Sequence, residues 1–371
     1  MLKRPFAILI GFAALLTLFL TTAHAAIPIQ VSMVKNISAI GGSDPREMTE
    51  VNGAIFFSAQ DDEHGFEVWK TDGTEAGAVM VKDIYPGLGG SSAPTDLANM
   101  NGILYFAADD GLHDAELWKS DGTEVGTVMV KDIEPTGRSD PYSFTLLNGI
   151  VYFDAKCGAS GRELWRTDGT EAGTWMVKEI NPAALPGSNP VYFATLNGKL
   201  YFQANDGAHG VELWKSDGTA LGTALVKDIN PNGDSSARDF TAVDGTLFFV
   251  ATDGVNGQEL WKSDGTVAGT TMVADINPGA ADASPDYLSN ANGRLFFQAT
   301  DGPFNAELWK VNDDPPSIAL AFAGKSSPLG QPIALTSTLA NSHWGPLSGL
   351  RYTHALPANM VVANPPNLTN T

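Results

Sequence analysis

The sequence predicts an all-β protein, a six-bladed β-propeller of four-stranded blades, and three observations lead to this class. Six of the eight tryptophans in the 371-residue chain are spaced at intervals of 49, 47, 49, 47 and 48 residues. A similar sequence surrounds each of these six tryptophans, and no segment after residue 25 has sustained helical periodicity. Repeats of about 48 residues that divide into four short strands are typical of propeller blades. The repeated tryptophans are Trp69, Trp118, Trp165, Trp214, Trp261 and Trp309.

The four strands of one blade are clearest in the second repeat. Residues 95–100, 103–108, 115–120 and 127–133 are apolar or alternating runs separated by glycine-containing turns. Asn101-Gly102 joins the first two runs and suits a tight type I′ hairpin. The third and fourth runs are joined by Ser-Asp-Gly-Thr, in which Asp bonds nearby amides and Gly takes a positive φ. Equivalent hairpin dipeptides are Asn52-Gly53, Asn148-Gly149, Asn197-Gly198, Asp244-Gly245 and Asn292-Gly293.

The two ends of the repeat array predict a closed ring. The sixth repeat stops after its third strand, at Trp309-Lys310, and lacks the Val-Lys-Asp-Ile sequence that follows in other repeats. Near the start of the chain, residues 33–37, Met-Val-Lys-Asn-Ile, match that missing sequence. We therefore expect an N-terminal strand to complete the sixth blade and to remove the open edges of the array.

The repeated sequence resembles that of a family of bacterial secreted repeat proteins, which is named for the motif Glu-Leu-Trp-x-x-Asp-Gly-Thr. The motif is clearest at residues 116–123, and the resemblance covers residues 31–311. Departures occur at Val68, at Ala274 and at residues 312–314, where Asn-Asp-Asp replaces the usual turn. The resemblance implies export and a propeller-like repeat, and it carries no established activity.

The chain divides into three predicted parts. Residues 1–25 are typical of a cleaved signal peptide, with Lys3 and Arg4, an apolar run over 6–20 and Ala23-His24-Ala25 before the cleavage site. A transmembrane anchor is the alternative, but the run is short for a bilayer. Residues 26–311 form the propeller. Residues 312–371 resemble part of a bacterial immunoglobulin-like sandwich, too short for the whole domain, and a loosely packed tail is the alternative.

Composition excludes several classes of function. Lys and Arg number 22 against 42 Asp and Glu, a formal charge of −20, so nucleic-acid binding is not expected. One cysteine, Cys157, excludes a disulfide framework and multi-cysteine metal sites within the chain. These features predict a secreted or cell-surface, acidic, monomeric propeller with no transmembrane span after cleavage of the signal.

The loops before the third strands carry candidate metal ligands. An aspartate lies seven or eight residues before the tryptophan and a histidine five before it, in three repeats. Carboxylates and carbonyls in a glycine-rich loop suit calcium, while histidine suits a transition metal. The alternative is ordinary turn chemistry, and we expect no cofactor beyond calcium. The candidates are Asp62, His64, Asp110, His113, Asp206 and His209.

The blade-to-blade loops carry candidate ligand-binding residues. They share a Gly/Ser/Pro theme, lead into the innermost strands and contain some of the few basic residues of an acidic chain. The alternative is that serine and proline merely initiate the next strand. The candidates are Arg46, Asp44, Arg138, Asp140, Arg238 and Asp239.

The repeated chemistry favours binding over catalysis. The tryptophans lie in mid-strand apolar patterns, which indicates packing between blades rather than sugar stacking. No catalytic motif occurs, and catalysis needs one asymmetric set of groups, whereas these carboxylates repeat with the blades. The sequence therefore predicts a non-catalytic binding or adhesion module for an extracellular glycan or a surface protein, with calcium as a candidate aid. A glycan-acting hydrolase or lyase on the same scaffold is the alternative.

Overall fold

The computed structural model describes residues 30–182, 186–302 and 305–311, together with the backbone of strands Ser317–Phe322 and Leu335–Ala340. Within these ranges the protein is all-β, and its one helical element is the three-residue 3₁₀ turn Gly158–Ser160. None of the described residues forms a helix with the length and apolar character needed to cross a bilayer. The predicted signal peptide and most of the predicted sandwich-like tail lie outside the described residues.

Six antiparallel sheets, here called blades, follow one another along the chain. In each blade the strands pair in sequence order, and the first five blades have four strands. Blades one to three comprise β1 (Arg46–Val51), β2 (Ala54–Ala59), β3 (Glu67–Thr71), β4 (Val79–Lys82), β5 (Thr95–Met100), β6 (Ile103–Asp109), β7 (Ala115–Ser120), β8 (Val128–Lys131), β9 (Tyr142–Leu147), β10 (Ile150–Lys156), β11 (Arg162–Thr167) and β12 (Trp175–Lys178). Blades four to six comprise β13 (Val191–Leu196), β14 (Lys199–Asn205), β15 (Val211–Ser216), β16 (Ala224–Lys227), β17 (Arg238–Val243), β18 (Thr246–Thr252), β19 (Gln258–Ser263), β20 (Thr271–Ala274), β21 (Asp286–Ala291), β22 (Arg294–Ala299) and β23 (Glu307–Lys310).

The predicted four strands and the hairpin of the second blade are confirmed, with differences in their bounds. The predicted first and third strands match the observed bounds, the second is longer by one residue, and the fourth covers Val128–Lys131 rather than 127–133. Asn101 and Gly102 take φ values of 58° and 86°, as the type I′ hairpin requires. Beyond the blades, Ser317–Phe322 (β24) and Leu335–Ala340 (β25) pair antiparallel within the predicted tail.

Consecutive blades pack face to face, which gives a propeller-like arrangement. The first strands of neighbouring blades contact each other from β1 to β21, so these strands are innermost. Five hydrophobic clusters each join one blade to the next: in the first of them Val51 and Phe56 of the first blade pack with Leu104, Phe106 and Trp118 of the second. Four further clusters repeat this pattern through the sixth blade. The tryptophans therefore belong to the core between blades, as predicted.

The predicted fourth strand of the last blade is not formed within the described residues. The sixth sheet contains β21, β22 and β23, and residues 33–37 belong to no strand. These residues pack instead against the first blade, where Ile37 lies beside Phe57 and Trp69. The described residues thus show six blades in sequence without a pairing that closes the ring.

Candidate functional site

The repeated glutamate fastens the loop that leads to the next blade. Glu116 on β7 is fully buried, and its carboxylate accepts hydrogen bonds from the backbone N–H of Ile133 at 2.7 Å and of Ser139 at 3.0 Å. The Ser139 hydroxyl lies 2.7 Å from the same carboxylate. Burial raises the pKa of Glu116 to about 7, against the opposing effect of these donors. Equivalent clamps are formed by Glu67, Glu163, Glu212 and Glu259.

The rest of the motif also supports the fold. The Lys119 ammonium donates a hydrogen bond across the blade interface to the Gly169 carbonyl at 2.8 Å. The Asp121 carboxylate accepts from the Thr123 N–H at 2.8 Å and from its hydroxyl at 2.7 Å, which closes the turn. Gly122 takes a φ of 87°, a conformation open to glycine without strain. The motif therefore accounts for blade structure and leaves any binding specificity to residues that differ between blades.

The candidate metal loops form internally bonded turns. In the second blade the Asp110 carboxylate accepts from the Leu112 and His113 N–H groups at 2.9 and 3.0 Å, and His113 Nδ1 lies 2.9 Å from it. This hydrogen bond raises the pKa of His113. His209 and Asp206 repeat the contact in the fourth blade, with the same direction of shift for His209. No three acidic, histidine or cysteine side chains among the described residues gather into a group that could hold a metal ion.

The first and fifth blades indicate the structural role of the histidine position in these loops. The carboxylate beside His64 belongs to Asp61, at 2.9 Å from Nδ1, and Asp61 lies one position before the candidate ligand Asp62. Asp62 instead accepts hydrogen bonds from the Ser38 hydroxyl at 2.6 Å and from the Ala39 N–H at 2.8 Å. In the fifth blade Asn256 replaces the histidine and donates to Asp253 at 2.8 Å. Because asparagine makes the same contact, turn chemistry explains these pairs.

The candidate arginines pair locally with acidic neighbours. Arg138 Nε lies 2.7 Å from the Asp140 carboxylate, and the Arg46 guanidinium lies 3.8 Å from that of Asp44. Arg238 forms an ion pair with Asp239 and donates to the Gln258 side-chain oxygen at 2.8 Å. Each arginine is thus paired with an aspartate one or two positions away, and Asp239 also lines a cleft along the innermost strands.

Every innermost strand begins with the same distortion. The register between the first and second strands shifts near the start of each innermost strand, as in a β-bulge. The second residue of each strand takes a positive φ of 54–60°. This conformation is uncommon for residues other than Gly, Asn and Asp, and is an outlier for bulky side chains. The six residues are Glu47, Asp96, Ser143, Tyr192, Asp239 and Tyr287.

Two of these strained positions carry tyrosines that border an open cleft. The cleft has a volume of 380 Å³ and lies along the innermost strands of blades four, five and six. Tyr192 is 47% exposed and Tyr287 is 74% exposed. The backbone does not favour tyrosine there, so its occurrence twice beside one cleft points to a role for the side chain. The lining residues are Tyr192, Phe193, Asp239, Phe240, Thr241, Asp286, Tyr287 and Leu288.

Polar groups around the tyrosines are already oriented. The Asp286 carboxylate accepts from the Tyr287 N–H at 2.8 Å, and the Thr241 hydroxyl donates to the Leu288 carbonyl at 3.1 Å. Together with the ion pair of Asp239, they form a cleft with aromatic walls and a few fixed polar atoms. Small-molecule sites commonly have this composition.

Sequence reasoning found Asp239 in this cleft but missed Tyr192 and Tyr287. Both tyrosines lie two positions after the proline of a Gly/Ser/Pro loop, so an aromatic residue at that register is the sequence feature that could have identified them. Sequence reasoning also missed Asp154, a fully buried carboxylate that lies 2.6 Å from Arg162 Nε. Burial raises the pKa of Asp154 to about 7, but its lack of exposure leaves no surface for a ligand.

Comparisons with known proteins leave the family open. No protein-family model matches the sequence. No curated protein matches it. Among solved structures the chain is similar to a puromycin hydrolase, with 12% identity and a TM-score of 0.42 over 77% of this chain and 57% of that one.

Two further solved structures show a likeness of the same order. A structure from a study of two prolyl endopeptidases has 12% identity and a TM-score of 0.32, over 76% of this chain and 52% of that chain. A puromycin-hydrolyzing peptidase of Mycobacterium tuberculosis has 12% identity and a TM-score of 0.40, over 66% of this chain and 40% of that one. The chain thus spans about half the length of these proteins, and a likeness at this level carries no inference about activity.

Proposed function

We propose that this protein is a secreted or cell-surface binding module without catalytic activity, and that the cleft between Tyr192 and Tyr287 binds an extracellular glycan. The observation that supports this proposal is the pair of exposed tyrosines at strained backbone positions on either side of Asp239. A rigid β scaffold holds both rings, which keeps the loss of conformational entropy on binding small. The sequence of residues 1–25, which is typical of a signal peptide, supports export of the protein.

The chemistry of the cleft suits a sugar. The C–H face of a pyranose ring stacks on an exposed aromatic ring, while its hydroxyls need fixed acceptors and donors. Tyr192 and Tyr287 supply the rings, Asp286 and Asp239 supply carboxylates, and an ion pair with Arg238 holds the Asp239 carboxylate in place. We also propose that the six blades form the closed six-bladed β-propeller that the repeats predict, since a closed ring would hold the cleft walls rigidly.

A glycan array tests the proposed function. The purified chain from residue 26 onward is applied with calcium in one arm and a chelator in the other. We expect binding in both arms, because the loop carboxylates are already bonded within their turns. Titration calorimetry on a retained glycan should then show at least about tenfold weaker binding for Tyr192→Ala and for Tyr287→Ala, a loss of about 1.4 kcal/mol.

Trp175→Ala provides the matched control, because Trp175 is 44% exposed but lies on the outermost strand β12, away from the cleft. This variant should bind like the wild type. Absence of glycan binding in both arms, or equal affinity of the tyrosine variants and the wild type, would contradict the proposal. Binding lost only with chelator would instead return the loop aspartates to the role of calcium ligands.

A further inference from the structure

The N-terminal segment, residues 32–40, contacts the first blade as an outermost strand contacts the blade that follows it. The Lys35 ammonium donates to the Ala78 carbonyl at 2.7 Å. The equivalent lysines of later blades donate to the equivalent carbonyls: Lys82 to Thr127 at 2.9 Å, Lys178 to Thr223 at 2.7 Å and Lys227 to Thr270 at 2.8 Å. The segment therefore occupies the place of the fourth strand of a blade that precedes the first.

The spacing along the chain supports the same equivalence. Lys35 lies 11 positions before the first residue of β1, Arg46. In the second and fourth blades the corresponding lysines, Lys131 and Lys227, lie 11 positions before Tyr142 and Arg238. Ile37 packs with Phe57 and Trp69 in the same way that Ile84 packs with Phe106 and Trp118. The N-terminal segment thus has both the connection and the packing of an outermost strand.

The sixth blade exposes the groups that such a strand would cover. Leu308 is 77% exposed, whereas its equivalent Leu117 is fully buried. Glu307 is exposed, whereas the equivalent Glu116 is buried and bonded to the loop of the next blade. The first blade shows the complementary deficit, because Met48 is 65% and Ile55 is 37% exposed, against 8% and 0% for the equivalent Leu97 and Leu104. The face of the sixth blade that would pack against a following blade is therefore uncovered, and so is the face of the first blade that would pack against a preceding blade.

We infer that residues 32–37 pair antiparallel with β23 of the same chain and that Glu307 clamps the join. The register follows from β3 and β4, where Lys70 lies opposite Val79 and Trp69 opposite Met80. By equivalence Ser32 lies opposite Lys310 and Met33 opposite Trp309. The Glu307 carboxylate then accepts from the Ile37 N–H and from Ser43, as Glu67 accepts from Ile84 and Ser92.

The same chain, rather than a second copy, supplies the strand. Asp62 already holds residues 38–40 to the first blade through bonds from the Ser38 hydroxyl and the Ala39 and Ile40 N–H groups. The segment and the sixth blade belong to one array, so their local concentration exceeds that of any second molecule in dilute solution. Closure also places β1 beside β21, so that Arg46 and Glu47 become neighbours of Tyr287 at the proposed cleft.

Engineered disulfides test the pairing in the full chain, independently of any ligand. Ser32→Cys and Lys310→Cys are combined in a Cys157→Ser background and oxidised, and the linked peptides are identified by mass spectrometry. We expect a cross-link within one chain in most molecules. The control pair Ile40→Cys and Lys310→Cys, which places another exposed residue out of register, should remain mostly reduced. Failure to cross-link, equal yields from both pairs, or cross-links only between chains would overturn the inference.

Hydrogen exchange gives a second measurement that needs no cysteine. In the wild type the Ile37 amide should exchange slowly, and in Glu307→Gln at least about tenfold faster, because the amide loses its carboxylate acceptor. Glu124→Gln is the matched control, since Glu124 is exposed on a turn of the second blade. Fast exchange at Ile37 in the wild type, or no response to Glu307→Gln, would contradict the clamp.

Discussion

At the scale of single residues, the blade motif is a set of structural contacts whose partners lie far along the chain. Glu116 bonds to Ile133 and Ser139, which are 17 and 23 positions away. A glutamate between apolar residues of a strand suggests an alternating surface side chain, yet all five clamp glutamates are fully buried. Burial is tolerated because backbone N–H groups and a serine hydroxyl compensate the carboxylate.

Replacement of Glu116 by glutamine should lower stability by about 1–3 kcal/mol at pH 5, because the amide turns a donor toward the Ile133 N–H. The difference in free energy of unfolding between the wild type and the variant should become smaller toward pH 8. The folded-state pKa of Glu116 is about 7, above the ordinary value of 4.5, so between these two pH values the carboxyl is protonated in the folded protein and ionised in the unfolded chain. The wild type therefore loses stability as pH rises through this window, and the variant lacks this contribution.

Urea unfolding at pH 5, 6, 7 and 8 measures the two free energies of unfolding for this prediction. Glu124→Gln, at an exposed turn position, should match the wild type at every pH. A gap between wild type and Glu116→Gln that widens as pH rises would show that the carboxylate is stabilising in its ionised form.

At the scale of the element, the outermost strands bind the next blade through lysines. The Lys178 ammonium donates to the Thr223 carbonyl at 2.7 Å and lies 5.8 Å from the centroid of the Trp214 ring. Lys227 makes the same two contacts with Thr270 and Trp261. An element as short as the four-residue β12 has little core of its own, so these contacts help to hold it between blades.

Replacement of Lys178 by methionine keeps the apolar stem but removes the charge and the donor. We expect a loss of about 1–2 kcal/mol, from one charged hydrogen bond and one cation–π contact. The urea midpoint at pH 7 measures the change. Lys156→Met, at the exposed end of β10, should leave the midpoint unchanged. An unchanged midpoint for Lys178→Met would show that the lysines of the outermost strands do not stabilise the packing between blades.

At the scale of the whole molecule, six similar blades are joined by similar interfaces under a large negative charge. The formal charge of −20 repels itself across the compact state, and salt screens that repulsion. The clefts and uncovered faces occur where the repetition is broken, at the innermost tyrosines and at the junction of the first and sixth blades. The proposed binding cleft and the proposed closure thus both involve positions at which blades differ.

An increase in NaCl from about 10 to 200 mM should raise the melting temperature by about 2–4 °C, which corresponds to about 1 kcal/mol. Differential scanning fluorimetry measures the shift. Calcium chloride at matched ionic strength should give a similar shift if screening alone acts. A fall in melting temperature with NaCl would show that attractive ion pairs outweigh repulsion, and a much larger shift with calcium would indicate a specific site.

The sequence by itself determined the repeat and the strands and turns observed within the blades, but the fourth strand predicted from residues 33–37, which the structure describes, is not formed. Asn101-Gly102 and Asp121-Gly122 set hairpins through their own φ preferences and bonds over two or three residues, and such local chemistry is visible in a linear chain. The loop turns were also local, although the carboxylate beside His64 belongs to Asp61 and not to the candidate ligand Asp62.

Only the tertiary structure decided which residues share a surface. The cleft joins Tyr192, Asp239 and Tyr287 across nearly a hundred positions, and it depends on bulges that reorient the second residue of each innermost strand. Likewise, the exposure of Glu307 and the burial of Glu116 differ although their motifs match, because only one has a following loop packed over it. Burial and proximity arise from contacts between distant segments, so no local pattern in the sequence specifies them.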